Sequence, residues 1–284
     1  MRQGRKGRAA GISFCLAGGG VFIWFMRMMF HWFLAGLILT GGGWRAGAAE
    51  AEAEADPAHR LAGAERPAPW PGGVIPYDIS RLTLAQKKLA LKAMQRWVDT
   101  GAKLRFIPRT TQAEYVFFTG RTDAGNNTSR VGFKPGGRTE INITAFWWHE
   151  PEWMAVHELG HVLGFFHEHQ RWDRDAYLKI HYENIKPGRA PDYDWIDRTN
   201  WLVTSLPYDP ASIMHYRICW ASKCEDECTD GVGDSPCAVI QPVDKQNDRV
   251  IGQWTQNGIS RLDAEKVRLI YGTNTLMRVT GDGP

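Results

Sequence analysis

Apolar and polar positions change rhythm several times along the chain, and each rhythm predicts an element. Residues 12–26 and 28–40 are two apolar runs parted by a single Arg27. Residues 49–69 lose all periodicity and turn rich in Ala, Glu and Pro. That composition predicts an extended linker or short pro-segment, with order beginning at Trp70. Residues 74–77 read as a first strand, cut short by Pro76. Ser80 then stands as a helix cap, and Leu82, Leu84, Leu89, Ala93, Met94, Trp97 and Val98 recur at roughly helical spacing up to Gly101. Strand-like runs follow at 104–107, 115–119, 130–133 and 140–144, with turns at Gly125, Asn126 and Asn127 and at Pro135, Gly136 and Gly137. Pro151 opens a second helix, where its missing N–H costs nothing, and Met154, Val156, Leu159 and Val162 carry it to Gly164. Residues 187–211 are irregular and rich in Pro, Asp and Trp. Ser260, with Asp263 three residues on, opens a last helix that Gly272 closes. The expected class is therefore α+β, without internal repeats.

Composition narrows this picture. A chain of 284 residues can form one large domain or two modest subdomains, and 12% aromatic residues argue against wholesale disorder. Setting aside the six basic residues among the first 45, which no acid offsets, turns the formal charge from +3 to −3. No electrostatic case for nucleic acid remains. The apolar runs end in Ala46-Gly47-Ala48-Ala49, the small-residue pattern of a signal-peptide cleavage site. The fit is best for translation from Met26, Met28 or Met29, with cleavage near Ala48. The competing expectation is an uncleaved anchor formed by both runs together. Residues 1–48 are thus read as a leader, and the remainder as exported. Cys15 lies in the leader, whereas Cys219, Cys224, Cys228 and Cys237 cluster within 19 residues. In an exported chain that even, local set reads as two disulfides with three possible pairings. A second zinc site is the rival expectation, and its spacing lacks the paired cysteines of zinc ribbons.

The chemistry sits in His157-Glu158-Leu159-Gly160-His161, an H-E-x-x-H segment on the second helix. Positions i and i+4 share a helix face, so both imidazoles reach one metal ion. Glu158 lies next to them as the general base for a water acidified by that metal. Gly164 follows His161 by three residues, and His167 follows Gly164 by three, giving the metzincin extension. A third ligand six residues past the second cannot come from the same straight helix. The chain must turn, and Gly164 tolerates the positive φ that such a turn needs. Three protein ligands leave a position open, as a catalytic zinc site requires. Ser212-Ile213-Met214-His215-Tyr216 supplies the methionine turn expected beneath such a site, with Met214 at its centre.

Residues 157–175 and 212–216, with flanking matches at 70–77, 105–109 and 251–253, resemble the astacin family of metalloendopeptidases. The resemblance covers residues 70–272. It implies a metzincin-like fold: a twisted, mostly parallel N-terminal sheet with two long helices, an irregular C-terminal part with one terminal helix, and a zinc cleft between. The implied division is 70–164 and 165–272, with Gly164 at the boundary and 273–284 as a tail. It further implies one catalytic Zn2+ on His157, His161 and His167, with Tyr216 as an additional ligand at rest and as an oxyanion stabiliser during reaction. Glu168 is implied to be a buried carboxylate that pairs through water with a new chain terminus. Arg171 and Asp173 are implied to form a polar network behind the third ligand. The strand near 140–144 is expected to be the edge on which an extended peptide lies antiparallel. The partners implied are protein or peptide substrates, with no stable membrane association unless the leader stays uncleaved. Another metzincin branch, or a binding protein on a silent protease scaffold, are the competing expectations. The chain departs from the family pattern in two ways. Lys103 stands where one family cysteine is expected, so all four later cysteines fall in a segment that reads as an insertion. Residues 49–69 also lack the family's F-x-G-D zinc-blocking motif; cleavage after Arg60 is one expectation, and an enzyme without latency, its Glu168 lacking the usual partner, is the equal alternative.

Overall fold

The computed structural model describes residues 57–121, 127–128, 130–143 and 151–274, all within the unit Glu50–Pro284. The leader, Cys15, the turn residues Gly125 and Asn126, Thr144 and the last ten tail residues lie outside the described residues. Among the described residues no helix is long and apolar enough to cross a membrane.

Strands β1 (Val74–Asp78), β2 (Arg105–Pro108), β3 (Val116–Thr119), β4 (Asn127–Thr128) and β5 (Thr139–Asn142) form one sheet in the order β2-β1-β3-β5-β4. All pairings are parallel except β4 with β5. The strand near 140–144, β5, is therefore not an edge as the resemblance implied: β4 lies outside it, and β2 forms the opposite edge. Residues 130–133, expected as a strand, are not one. Gly132 N–H donates to His161 O at 2.8 Å and Phe133 N–H to Ala68 O at 2.7 Å. Those amides serve the end of a helix and the N-terminal segment, leaving no ladder to join.

Helix α1 (Leu84–Val98) is capped by Thr83, not Ser80. Thr83 and Gln86 form a reciprocal capping box, whereas Ser80 N–H donates to Asp78 in a preceding turn. Helix α2 (Pro151–Val162) crosses α1, and Glu152 in its first turn pairs with Lys92 at 2.6 Å and Arg96 at 3.0 Å. Trp97 of α1 donates its indole N–H to Val156 O of α2 at 2.9 Å. Trp70 does the same to Val162 O at 3.0 Å, so two tryptophans pin the helix that carries the H-E-x-x-H segment.

The C-terminal part contains a small antiparallel pair, β6 (Leu178–Ile180) with β7 (Ile240–Pro242), the short α3 (Trp254–Asn257) and the terminal α4 (Arg261–Tyr271). Ser260 and Asp263 form the capping box of α4, as the sequence predicts. The main apolar cluster joins the sheet, α1 and α2, but also takes in Ile213, Met214, Trp254 and Val267. A second cluster, around Leu178, Tyr193, Tyr208, Ile218 and Ile240, fills the irregular part. The terminal helix thus packs into the N-terminal core and ties the two parts together.

The described structure already starts at Pro57, ahead of Trp70. Arg60 bridges to Trp195 in parallel fashion and pairs with Asp197 at 2.7 Å, and the His59 ring stacks on Tyr182 at 3.7 Å. The low apolar content of 49–69 hid these contacts, because they are made by charge, stacking and backbone.

Candidate metal centre and active site

Three imidazoles converge because their outer nitrogens are fixed. His157 Nδ1 lies 2.7 Å from Ile213 O, and His161 Nδ1 lies 2.7 Å from Phe165 O. A carbonyl only accepts, so each Nδ1 carries the proton and each Nε2 presents a lone pair. His167 Nδ1 is held by Gln170 Oε1 at 3.2 Å in the same sense. His167 Nε2 then sits 3.2 Å from His157 Nε2 and 3.1 Å from His161 Nε2. Three inward lone pairs this close repel one another unless a cation lies among them. A tetrahedral zinc with Zn–N near 2.0–2.1 Å sets its ligands roughly 3.3 Å apart, so this donor set fits the ion. Among the described residues this is the only group of His, Cys, Asp and Glu side chains close enough to share a metal. Burial keeps all three imidazoles neutral: His157 is lowered to about 3 and His161 to about 4. His167 is driven well below its ordinary value, by burial first and its histidine neighbours next.

The local fold explains how His167 arrives. Gly164 has φ 102°, and its N–H donates to His161 O at 2.9 Å while Phe165 N–H donates to Gly160 O at 3.0 Å. The helix ends in a left-handed turn that sends the chain back toward its own ligands. A Cβ at Gly164 would also lie 2.7 Å from Leu202, so the position is closed on two counts. Gly160, inside the helix, is closed for another reason: a Cβ there would lie 2.3 Å from Met214 Sδ. The missing side chain lets the methionine turn press against the helix between His157 and His161. Met214 is buried, and its carbonyl accepts from Glu168 N–H at 3.0 Å.

Glu158 faces a cavity of about 760 Å³ that it shares with the three histidines, Tyr216 and Trp254. Burial pushes its carboxyl up to about 7, and the Thr128 hydroxyl opposes this by donating to Oε2 at 2.6 Å. Tyr216 packs its ring 4.3 Å from that of His167 and stacks on His169 at 4.2 Å. Burial raises the Tyr216 phenol above its usual range. Leu61 and Ala64 line the same cavity, so the segment after Arg60 forms part of its wall.

Glu168 lies behind the ligands. It is fully buried, and Lys266 Nζ lies 2.6 Å from its Oε2. Asp209 N–H donates to its Oε1 at 2.9 Å. A side-chain ammonium from α4 thus occupies the place where the resemblance implied a chain terminus. Arg171 makes the expected fork to Asp173, with both bonds at 2.8 Å. The cysteines pair as Cys219–Cys228 and Cys224–Cys237, which removes the second-zinc expectation. They stand apart from the metal group, but Trp220 of their loop reaches the cavity wall.

Sequence reasoning did not find Thr128, Trp254, Gln170 or Lys266. Thr128 sits in a polar run without alternation, and Trp254, stacked on His157 at 4.7 Å, is one of 13 tryptophans with no distinguishing neighbour. Gln170, three residues after His167, was legible as a partner only once the turn was known.

An H-E-x-x-H helix, a third histidine after a glycine turn and a methionine turn beneath define a metal-dependent peptidase of the metzincin class. Residues 63–272 match the model of the astacin family of peptidases, and the chain belongs to that family. Its relatives include Nematocyst expressed protein 6 of Nematostella vectensis, 34% identical over 72% of this chain and 66% of that protein. Human Tolloid-like protein 2 is 40% identical over 52% of this chain and 14% of its own length. The chain thus spans less than two thirds of these relatives. Among solved structures, high choriolytic enzyme 1, a hatching enzyme zinc-protease from Oryzias latipes, superposes with a TM-score of 0.59 at 28% identity. That match covers 74% of this chain and 96% of the fish enzyme. The family is one of zinc enzymes, and the three-histidine group is the place in this chain that suits the ion.

Proposed function

We propose that this protein is a secreted zinc endopeptidase that cleaves internal peptide bonds with Glu158 as general base. The observation that carries this reading is the convergence of three neutral Nε2 atoms, each fixed from behind, beside a buried carboxylate in one open cavity. Zinc, when bound, supplies Lewis acidity toward water and the scissile carbonyl. Glu158 receives the proton of the attacking water and returns it to the leaving amine. A carboxyl pushed up to about 7 by burial is well matched to both transfers near neutral pH. The ion, when bound, would favour the charged form and offset part of that burial. Tyr216 would be a further ligand of the ion at rest, and its phenol, kept protonated by burial, would donate to the developing oxyanion. The peptide lies as an extra strand along β4, an edge of the sheet, because Thr128 of that strand contacts the general base. Two disulfides fit an oxidising compartment and therefore export. Residues 70–272 form the catalytic domain, and cleavage after Arg60 frees the segment carrying Leu61 and Ala64 from the cavity wall.

A chelator is expected to remove both zinc and casein cleavage, with zinc restoring the latter. Glu158→Ala is expected to keep the metal and lose at least about 100-fold in kcat/KM. Full cleavage by that variant would overturn the mechanism and leave the silent-scaffold reading irrelevant. Retained zinc with no cleavage by the wild-type protein would favour that reading instead. N-terminal sequencing of exported material tests both processing sites.

A further inference from the structure

Helix α4 reaches the metal site twice. Through its capping residue, Asp263 accepts from Ser212 Oγ at 2.6 Å and from Ile213 N–H at 2.8 Å. Ile213 O is the group that fixes His157. One turn further along, Lys266 reaches Glu168, the residue that follows the ligand His167. Glu168 in turn donates its backbone N–H to Met214 O and accepts from Asp209 N–H. Lys266 and Glu168 are both buried, so bulk solvent is no alternative partner for either charge. The cavity beside them, between Phe165, Leu202 and Met214, measures about 20 Å³. That is room for about one water molecule.

We propose that Lys266 is a positioning residue for the metal site, resting on the zinc reading above. Its ammonium is the internal counter-charge that holds Glu168, and through Glu168 it sets His167 and the Met214 turn. The site is thereby assembled without a charged chain terminus, so processing at the N-terminus opens the cleft rather than building the centre. Removing the ammonium leaves Glu168 Oε2 buried without its partner, with only Arg171 at 3.5 Å and Asp209 N–H remaining on Oε1, so the carboxylate shifts toward them and drags the adjacent ligand with it.

The test uses the full chain with its N-terminus uncut, and reads zinc affinity by chelator competition alongside apo-protein unfolding. Lys266→Met is expected to weaken zinc binding by roughly 10- to 100-fold. Lys266→Arg is expected to retain it within about threefold, since the charge is kept. The double variant Lys266→Met with Glu168→Gln is expected to recover most of the loss, because the carboxylate beside His167 is removed together with its counter-charge. A purely structural ion pair would lower unfolding stability while leaving zinc affinity in the folded protein unchanged, and that result would overturn the proposal. If Lys266→Met does not fold, the double variant decides: folded with near-normal zinc affinity supports it, and folded with weak affinity overturns it. Wild-type protein that binds no zinc would instead sink the enzyme reading, and this inference with it.

Discussion

The Thr128 hydroxyl and the Glu158 carboxylate meet at 2.6 Å, and this contact helps set how firmly that carboxyl holds its proton. Burial raises the carboxyl and Thr128 lowers it. Without the hydroxyl, the folded-state value rises further, and less Glu158 is ionised at a given pH. Thr128→Val is therefore expected to move the acid limb of the kcat/KM profile to higher pH and to cost several-fold at neutral pH. The plateau at alkaline pH should change less. An acid limb that stayed in place or moved down would show that Glu158 is not the group titrating there. At this scale the sequence was most informative where spacing encodes geometry. His157, Glu158, His161, Gly164 and His167 were legible because a helix and one left-handed turn fix their relations. Thr128 was not, since its distance from Glu158 in sequence is 30 residues and no local pattern marks it.

Helices were more legible than strands for a related reason. The capping box of α4 is written in Ser260 and Asp263 and appears as expected, whereas at α1 the cap is Thr83 in place of the expected Ser80, because Gln86 answers it. The edge strand β4 has only two residues, so no alternation exists to be read. Helix α2 offers a test of opposing terms. Gly160→Ala gains about 0.8–1 kcal/mol of helix propensity, but the new methyl meets Met214 Sδ. Overpacking of a dense core costs about 1–3 kcal/mol, so the net change is expected to be destabilising and accompanied by weaker zinc binding. Stabilisation by denaturant titration would show that the methionine turn yields freely. Around 219–237, the even cysteine set predicted two bridges, and the structure chose crossed pairing over the two alternatives. That loop bears Trp220 on the cavity wall. Deleting residues 221–236 is expected to change cleavage preference in peptide-library profiling more than it changes turnover on an optimal peptide. Unchanged preferences would remove the loop from substrate choice.

Over the whole molecule, the joint between the irregular part and the helical core is electrostatic as well as apolar. Glu168, Asp209 and Asp263 are buried together with Lys266 and Arg171. The resemblance implied a buried Glu168 and a polar role for Arg171, but not that Asp209, Asp263 and Lys266 join them, because those charges come from separate segments that only the tertiary fold assembles. The set holds more acids than bases, and the imbalance appears as a raised acid. Asp209 is pushed up to about 7, by burial first and then by Asp263, and Lys266 only partly offsets this. Its ordinary value is 3.8. Between those values the folded protein binds a proton that the unfolded chain has released. Stability contributed by that proton is therefore full below the unfolded value and is lost as pH rises toward the folded one. Asp209→Asn removes the titration while keeping one acceptor for Ser260 or Ala211. The lost second acceptor costs the same at every pH, so the slope is the diagnostic quantity. Between about pH 4 and 7 the wild-type protein is expected to lose roughly 1–3 kcal/mol more than the variant. Denaturant titrations of both proteins at matched zinc saturation measure this difference directly. Parallel slopes would mean that Asp209 is charged throughout the window, with its proton carried by Asp263 instead, and the same comparison on Asp263→Asn would then show the flattened profile.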